Sequence, residues 1–442
     1  MIATQAEPLA PPNARLTAHA TLVPLLLLAL VATMGFTALG SFGTIQESAK
    51  AELGLTDDSL ALIQGLGAAV PMVLFSIPIG ILVDRRNRVR LTIGLALLWT
   101  LGTLLTAFAP SAGLLTAARM LVGIGSTGSL TAALSLCADF CAPEQRGRAM
   151  LIVNLGKALG VALGFALTGW LFGLLTDFSA IGWLGELAPW RGAHVLLAAI
   201  SALCLLPLLL LREPERREVE ASPNAPFRIV AAELWSRRAF LGPLFAGQVA
   251  VVMADVAATV WVAPVLSRDF GLQPQQFAGW VGALMFGTGV AGAVLGGLSA
   301  DIGQKSQRRG GILLGAVIAA GIGVPAALFP LMPSVAGLAV ALGVMSMCGA
   351  VTGLVVSVAL TVLLPNELRG LCIGAFIAIA GLIGFGLAPW IVTQVSGLMG
   401  GETMLAEALA LVGVIVSALS FLAFMLAMRR APVPIIQLLP KL

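Results

Sequence analysis

Gly80-Ile81-Leu82-Val83-Asp84-Arg85-Arg86-Asn87-Arg88-Val89-Arg90 gathers five charged side chains into one short loop. Ser59 to Val83 on one side of the cluster and Leu91 to Ala118 on the other hold no Asp, Glu, Lys or Arg at all. Each flank is long enough to cross a bilayer as a helix, which takes ~20 apolar residues. Outward from this loop the pattern repeats: Leu16 to Gln46, Phe270 to Ala300, Gly310 to Asn366 and Gly370 to Gly401 are also free of charge. Gly310 to Asn366 is too long for one crossing, and Phe329-Pro330-Leu331-Met332-Pro333-Ser334 supplies a turn in its middle. With the segments that carry one interior charge, twelve spans are predicted at about 19–42, 59–83, 89–108, 112–139, 149–175, 190–211, 239–266, 274–300, 310–329, 334–364, 369–397 and 405–428.

Composition agrees. The 442 residues are 59% hydrophobic and 10% charged, against roughly 45–50% and 25% in soluble domains. A soluble enzyme, a disordered chain and a disulfide scaffold are excluded, and an all-α polytopic membrane protein is expected. The loops set its orientation. With both termini inside, 20 of the 25 basic residues fall on the cytoplasmic side, three outside (Lys50, Arg191, Arg268) and two within spans (Arg119, Lys157). The cell (inner) membrane is the expected location. The net charge of +4 is loop-borne, so no nucleic-acid partner is expected. The five cysteines lack C-x-x-C spacing and read as packing residues, with no metal and no cofactor expected beyond a proton or sodium gradient.

The polar stretch Arg212 to Arg238 divides the chain in two. The reading is a cytoplasmic tail (1–18), a six-helix bundle (19–211), a cytoplasmic linker (212–238), a second six-helix bundle (239–428) and a tail (429–442). Local sequence recurs at the same ordinal loop of each half. Pro143-Glu144-Gln145-Arg146-Gly147 matches Pro365-Asn366-Glu367-Leu368-Arg369-Gly370, and Gly80 to Arg85 matches Gly297-Leu298-Ser299-Ala300-Asp301. Two parallel halves with a site between them near the midplane are a recurrent plan of secondary transporters.

These motifs resemble those of the major facilitator superfamily. Gly80 to Arg90 is similar to its signature between the second and third spans, with Asn87 where a second Gly is usual. Arg119-Met120-Leu121-Val122-Gly123-Ile124-Gly125 resembles its fourth-span signature, and "PEQRGRA" from Pro143 completes the match. Within the superfamily the chain resembles bacterial spinster-like members, relatives of lysolipid and sphingolipid-phosphate transporters, through "AKAELGLTDDSLALIQG" from Ala49 and "LTAALSLCADFCAPEQRGRAM" from Leu130. Acids that this subgroup carries in the first and fourth spans fall here at Ala38 or Leu39 and at Ser126. The resemblance implies the twelve-helix fold, alternating access and a central cavity lined by spans 1, 4, 7 and 10. It also implies a coupling scheme that differs from the subgroup's or is absent.

Ionisable residues inside spans cost ~2.5–3.5 kcal/mol at the centre and mark function by default. Arg119 in the fourth span and Asp255 in the seventh are read as an anion-holding group and its counter-charge or a proton carrier. The alternative is a static pair, or an Asp255 satisfied by backbone or by Gln248. Lys157, ~12 Å from the inner end of the fifth span, either snorkels to the surface or adds a second positive charge to the cavity. On the cytoplasmic face Gly80, Asp84, Arg85, Arg88, Asp139, Arg146, Asp301 and Arg369 are candidates for a latch that closes the inner side, with Arg85 and Arg88 within reach of Asp139. Gln46, Glu47 and Glu407 read as interfacial, and His194 as a packed residue. The expected function is secondary transport of a small organic, anionic or amphiphilic solute by a monomer that contacts the lipid bilayer. A multidrug/proton antiporter and a non-transporting sensor are the alternatives. No enzyme is expected.

Overall fold

The computed structural model describes residues 18–141, 145–177, 186–216, 235–306, 308–363, 372, 376 and 378–432. Among them twelve helices are long and apolar enough to cross a membrane. They are α1 (Leu22–Leu53), α2 (Asp57–Arg85), α3 (Arg88–Ala107), α4 (Ala112–Phe140), α5 (Arg146–Asp177), α6 (Pro189–Leu210), α7 (Arg238–Arg268), α8 (Pro274–Lys305), α9 (Gly311–Leu331), α10 (Val335–Leu363), α11 (Ala380–Met399) and α12 (Glu402–Arg430). The first six pack as one bundle and the last six as another. The chain is thus an all-α, multi-pass membrane protein, as its charge pattern predicts. Arg369, Pro143, Glu144 and most of the linker lie outside the described residues.

Small residues set the closest approaches. Gly156, Gly160 and Gly164, one turn apart on α5, lie against Ala29, Thr33 and Gly40 of α1, where an added Cβ would meet backbone. Their bare backbone lets hydroxyls reach across. Thr33, Thr37 and Thr44 donate to the carbonyls of Gly156 (2.9 Å), Gly160 (3.2 Å) and Gly164 (3.1 Å). Without a hydrophobic drive between helices in lipid, such packing and hydrogen bonding are what hold them together.

Three irregularities shape the helices around the centre. α1 continues eleven residues past the predicted 42, through a non-helical Ile45 (φ −122°, ψ 16°) to Leu53. The bend turns Gln46, Glu47 and Lys50 toward the other half. α2 is broken at Gly65, where a side chain would strike the Gly386 carbonyl of α11. In α11 the glycine-rich run Ala380–Leu387 is π-helical and hands over to a regular helix at Ala388 and Pro389. The glycine run is therefore a wide turn ending at Pro389, which has no N–H to continue the ladder.

The halves meet through α5 with α8 and α2 with α11. Ala162, Ala166 and Gly169 of α5 touch Gly282 and Ala278 of α8, and Met72 of α2 touches Gly381 of α11. The α5–α8 seam runs along the outer part of these helices, and the α2–α11 seam extends inward to the middle of α2.

Candidate functional site

The charged loop between α2 and α3 is built locally. Asn87, in place of the usual glycine, caps α3 by accepting from the Arg90 N–H (2.8 Å). Arg88 is then buried at the start of α3 and pairs with Asp139 at the end of α4 (2.5 Å) and with Glu213 at the start of the linker (2.8 Å). Glu213 also accepts from the Val89 N–H (2.9 Å). The Arg216 guanidinium donates to the carbonyls of Val83 (2.9 Å), Asp84 and Arg86 (3.0 Å), neutralising the carboxyl end of α2. The structure brings Arg88 and Asp139 together and leaves Arg85 exposed. Asp84 is exposed, and its carboxylate makes no hydrogen bond among the described residues. Asp301 is likewise exposed, and a Cβ on Gly80 would meet nothing within 4 Å. Arg146 donates to the Ala138 carbonyl (3.0 Å).

Deeper in the membrane, Arg119 is 3% exposed and donates to the carbonyls of Ala38 (3.0 Å) and Leu39 of α1, with its guanidinium 5.6 Å from the Phe42 ring centroid. Among the described residues no carboxylate lies within ion-pair distance. His194 of α6 is buried behind it, between the Trp190 carbonyl (2.8 Å) and Ser41 (3.4 Å). Asp255 of α7 lies in the opposite half, its carboxylate against the Cα of Gly349 on α10. Gln248, two turns inward on the same face of α7, approaches Gly353, and its buried Oε1 has no partner among the described residues. Arg119 and Asp255 therefore do not meet: each sits inside its own half.

Lys157 is placed differently. On α5, Gly156, Gly160 and Gly164 face α1, while Ala162, Ala166 and Gly169 face α8. At about 100° per residue, Lys157 and Asn154 fall on one arc between these faces and Leu159 and Trp170 on the other. Leu159 and Trp170, 41% and 60% exposed, mark the lipid side. Lys157 and Asn154 are therefore on the side of the space between the halves, both exposed, with the Lys157 ammonium 5.1 Å from the Phe36 ring centroid.

At the outer ends the halves are fastened by polar side chains. Arg268, the last residue of α7, grips Glu47 (2.8 and 2.9 Å) and Asp57 (2.6 and 2.7 Å) of the other half. Lys50 bridges Asp57 (2.6 Å) and Glu402 (2.5 Å), and Glu402 accepts from the Asp57 N–H (2.8 Å). Asp58 accepts from Thr393 and from Gln394 (2.9 Å). Beneath this layer Gln46, fully buried, donates to the Val260 carbonyl (2.6 Å) and accepts from Gln64.

Residues 25–389 match the family model described as Major Facilitator Superfamily. The chain belongs to the Major Facilitator Superfamily. It is 26% identical over 276 residues to an MFS-type efflux pump of Mycolicibacterium smegmatis, covering 62% of this chain and 61% of that one. It is 30% identical over 228 residues to the 3-(3-hydroxy-phenyl)propionate transporter of Escherichia coli, covering 50% of each. The aligned stretches thus span 61% and 50% of these relatives' own lengths. Among solved structures, a bacterial homologue of the human lysosomal transporter Spinster, inward-facing and unoccupied, superposes with a TM-score of 0.78. That match has 23% identity over 93% of this chain and 98% of that one. At that identity the likeness is one of fold.

Several features of this superfamily member escaped sequence reading. Gln46 and Glu47 read as interfacial and Arg268 as an outer loop charge, and in the structure the three form part of the contact between halves. The signal was available: Glu47, Lys50, Glu52, Asp57 and Asp58 within twelve residues are dense for a chain only 10% charged. Trp190 and Trp261, near helix ends in the sequence, are buried, with indole N–H groups donating to Glu52 (2.5 Å) and the Pro389 carbonyl (3.2 Å). Glu213 and Arg216 read as plain linker charge.

Proposed function

We propose that the protein is a secondary transporter that moves a small organic anion or amphiphile across the inner membrane by alternating access. The observation that carries this reading is the position of the cross-half polar contacts. Among the described residues they gather at the outer ends, on Arg268, Lys50, Glu47, Asp57, Asp58 and Glu402. The halves 19–211 and 239–428 are then two bodies held shut outside and parted inside, an inward-facing state. Rocking them breaks the outer network and brings the inner motif together, with Gly80, Asp84, Arg85, Arg88, Asp139, Arg146, Asp301 and Arg369 as the inner gate. The exposed Asp84 carboxylate and the open space at Gly80 suit a gate whose partner has swung away.

Substrate chemistry follows from charge. Lys157 offers an ammonium to the space between the halves beside an aromatic ring, and Arg119 keeps an uncompensated positive charge deeper in the same half. An anionic headgroup with an apolar or aromatic body fits such a wall. The propionate named for the Escherichia coli relative is a carboxylate of that kind, and the spinster-like resemblance extends the range to lysolipid-like amphiphiles. Asp255 and Gln248 belong to the coupling side, and the transporter works as a monomer. The test is flux of lysolipids and aromatic carboxylates in proteoliposomes under imposed proton or sodium gradients. Absence of substrate-dependent flux under every gradient refutes the reading.

A further inference from the structure

Within the second half, α7, α9, α10 and α12 line a small cleft of about 20 Å³, room for a single ion or water, and every lining residue belongs to that half. Its polar lining comes from three of these helices: Asp255 of α7, Cys348 and Thr352 of α10, and Ser417 and Ser420 of α12. Asp255 has no basic partner among the described residues. The Ser420 hydroxyl is fully buried and has no hydrogen-bond partner among the described residues. A buried hydroxyl without a partner costs roughly 1–3 kcal/mol, and native structures keep few of them unless something fills the gap. Thr352 donates to the Gly349 carbonyl (2.9 Å), which leaves both of its lone pairs able to accept or coordinate.

We infer that this cleft is a binding site for one sodium ion. The inference rests on the transporter reading for its purpose, since a bound cation there would couple a gradient to movement, but the site itself stands on the residues above. One carboxylate balances one monovalent charge, and hydroxyl oxygens from two further helices complete a set of hard donors that suits a hard cation. A proton would need only the carboxylate and a single acceptor, and would leave the unpartnered Ser420 hydroxyl unexplained. Gly349 fixes the carboxylate: an added Cβ there would overlap Asp255 itself. Loading the site would neutralise Asp255 and tie α7 to α10 and α12, stiffening the half that carries Arg268.

The experiment is equilibrium binding of radioactive sodium to the purified full-length chain in detergent, with no organic substrate present. Saturable binding of one ion per chain is expected, with affinity at least tenfold weaker in Asp255→Asn and severalfold weaker in Ser420→Ala. Gly113→Ala, in the other half with open space around it, should bind as the wild type does. Circular dichroism melting confirms that each variant is folded. Sodium binding that is absent from the folded wild type, or equal in wild type and Asp255→Asn, overturns the site, as does a response to pH with none to sodium. Intact sodium binding with no organic flux in proteoliposomes would instead refute the proposed function and leave the site standing.

Discussion

Removing Arg268 should tip the protein toward its outward-facing state. Its guanidinium makes four contacts of 2.6–2.9 Å to Glu47 and Asp57 across the halves. Side-chain exposures are 22% for Arg268, 27% for Glu47 and 4% for Asp57. Exposed pairs contribute about 0–1 kcal/mol, and breaking a fully buried one costs ~3–5 kcal/mol. A half-buried bidentate grip falls between, and Asp57 keeps Lys50 as a partner at 2.6 Å. Arg268→Gln should therefore weaken the outer closure by ~2 kcal/mol, about 30-fold in the equilibrium at 1.4 kcal/mol per tenfold. Because these contacts exist only while the outer side is shut, nearly all of that loss appears as a shift between states. Spin labels on Ser111→Cys and Leu398→Cys, two exposed outer positions on opposite halves, would report it by electron–electron distance after replacement of the five native cysteines. The expected result is a new longer distance in Arg268→Gln that the charge swap Arg268→Glu with Glu47→Arg partly reverses. An unchanged distance distribution in a folded Arg268→Gln protein would refute the view that this network holds the outer side closed.

Three further outcomes are expected. Gly160→Ala puts a methyl against the Thr33 carbonyl and the Phe36 side chain and should destabilise the α1–α5 contact by ~1–3 kcal/mol; Gly113→Ala, with open space around it, should leave thermal stability unchanged. Lys157→Gln should raise KM for anionic substrates about tenfold or more while Lys157→Arg retains activity, measured as initial uptake in proteoliposomes; equal KM values would remove Lys157 from the site. Asp84→Asn should slow turnover without changing substrate affinity of the inward-facing state, since the exposed carboxylate makes no contact there; a loss of binding in detergent would contradict a role confined to inner closure.

The twelve spans were legible because bilayer crossing leaves a strong mark: in a chain with so few charges, the loops are where the charges are. The Arg88 and Asp139 pair was also legible, since a fixed loop places α3 beside α4. What could not be read was the direction in which membrane-embedded side chains face. Lys157 looks the same in sequence whether it snorkels or lines a cavity. Only the positions of Gly156, Gly160 and Gly164 against α1, and of Ala162 and Gly169 beside α8, assign its side of the helix. Periodicity gives little help in helices that are apolar all round. The outer network was missed for a related reason: the bend at Ile45 that aims Gln46, Glu47 and Lys50 across the halves follows Gly40 and Gly43, but glycines are so common in these spans that they do not mark it.

The absent acids at Ala38 and Ser126 acquire a different meaning once the two halves are compared. α4 and α10 are both 29 residues long, and Ser126 and Gly349 hold the same place in each, the fifteenth. In the first half Ser126 is the residue on which α1 crosses, through Gly35, where an added Cβ would lie 3.3 Å away. In the second half Gly349 is the residue on which α7 crosses, through Asp255. The crossing is the same and the small residue has changed sides: glycine on the first helix of the pair in one half, on its partner in the other. A crossing with glycine on α10 leaves room on α7 for a carboxylate, and a crossing with glycine on α1 leaves none. The first half accordingly presents main-chain carbonyls of Ala38 and Leu39 to a cation of its own, Arg119, while the second presents the Asp255 carboxylate, which has no cationic partner among the described residues. An ionisable acid is therefore retained in this fold at the repeat-related crossing, and the half that lacks a built-in positive charge is the half with a cleft in which a mobile cation can be held.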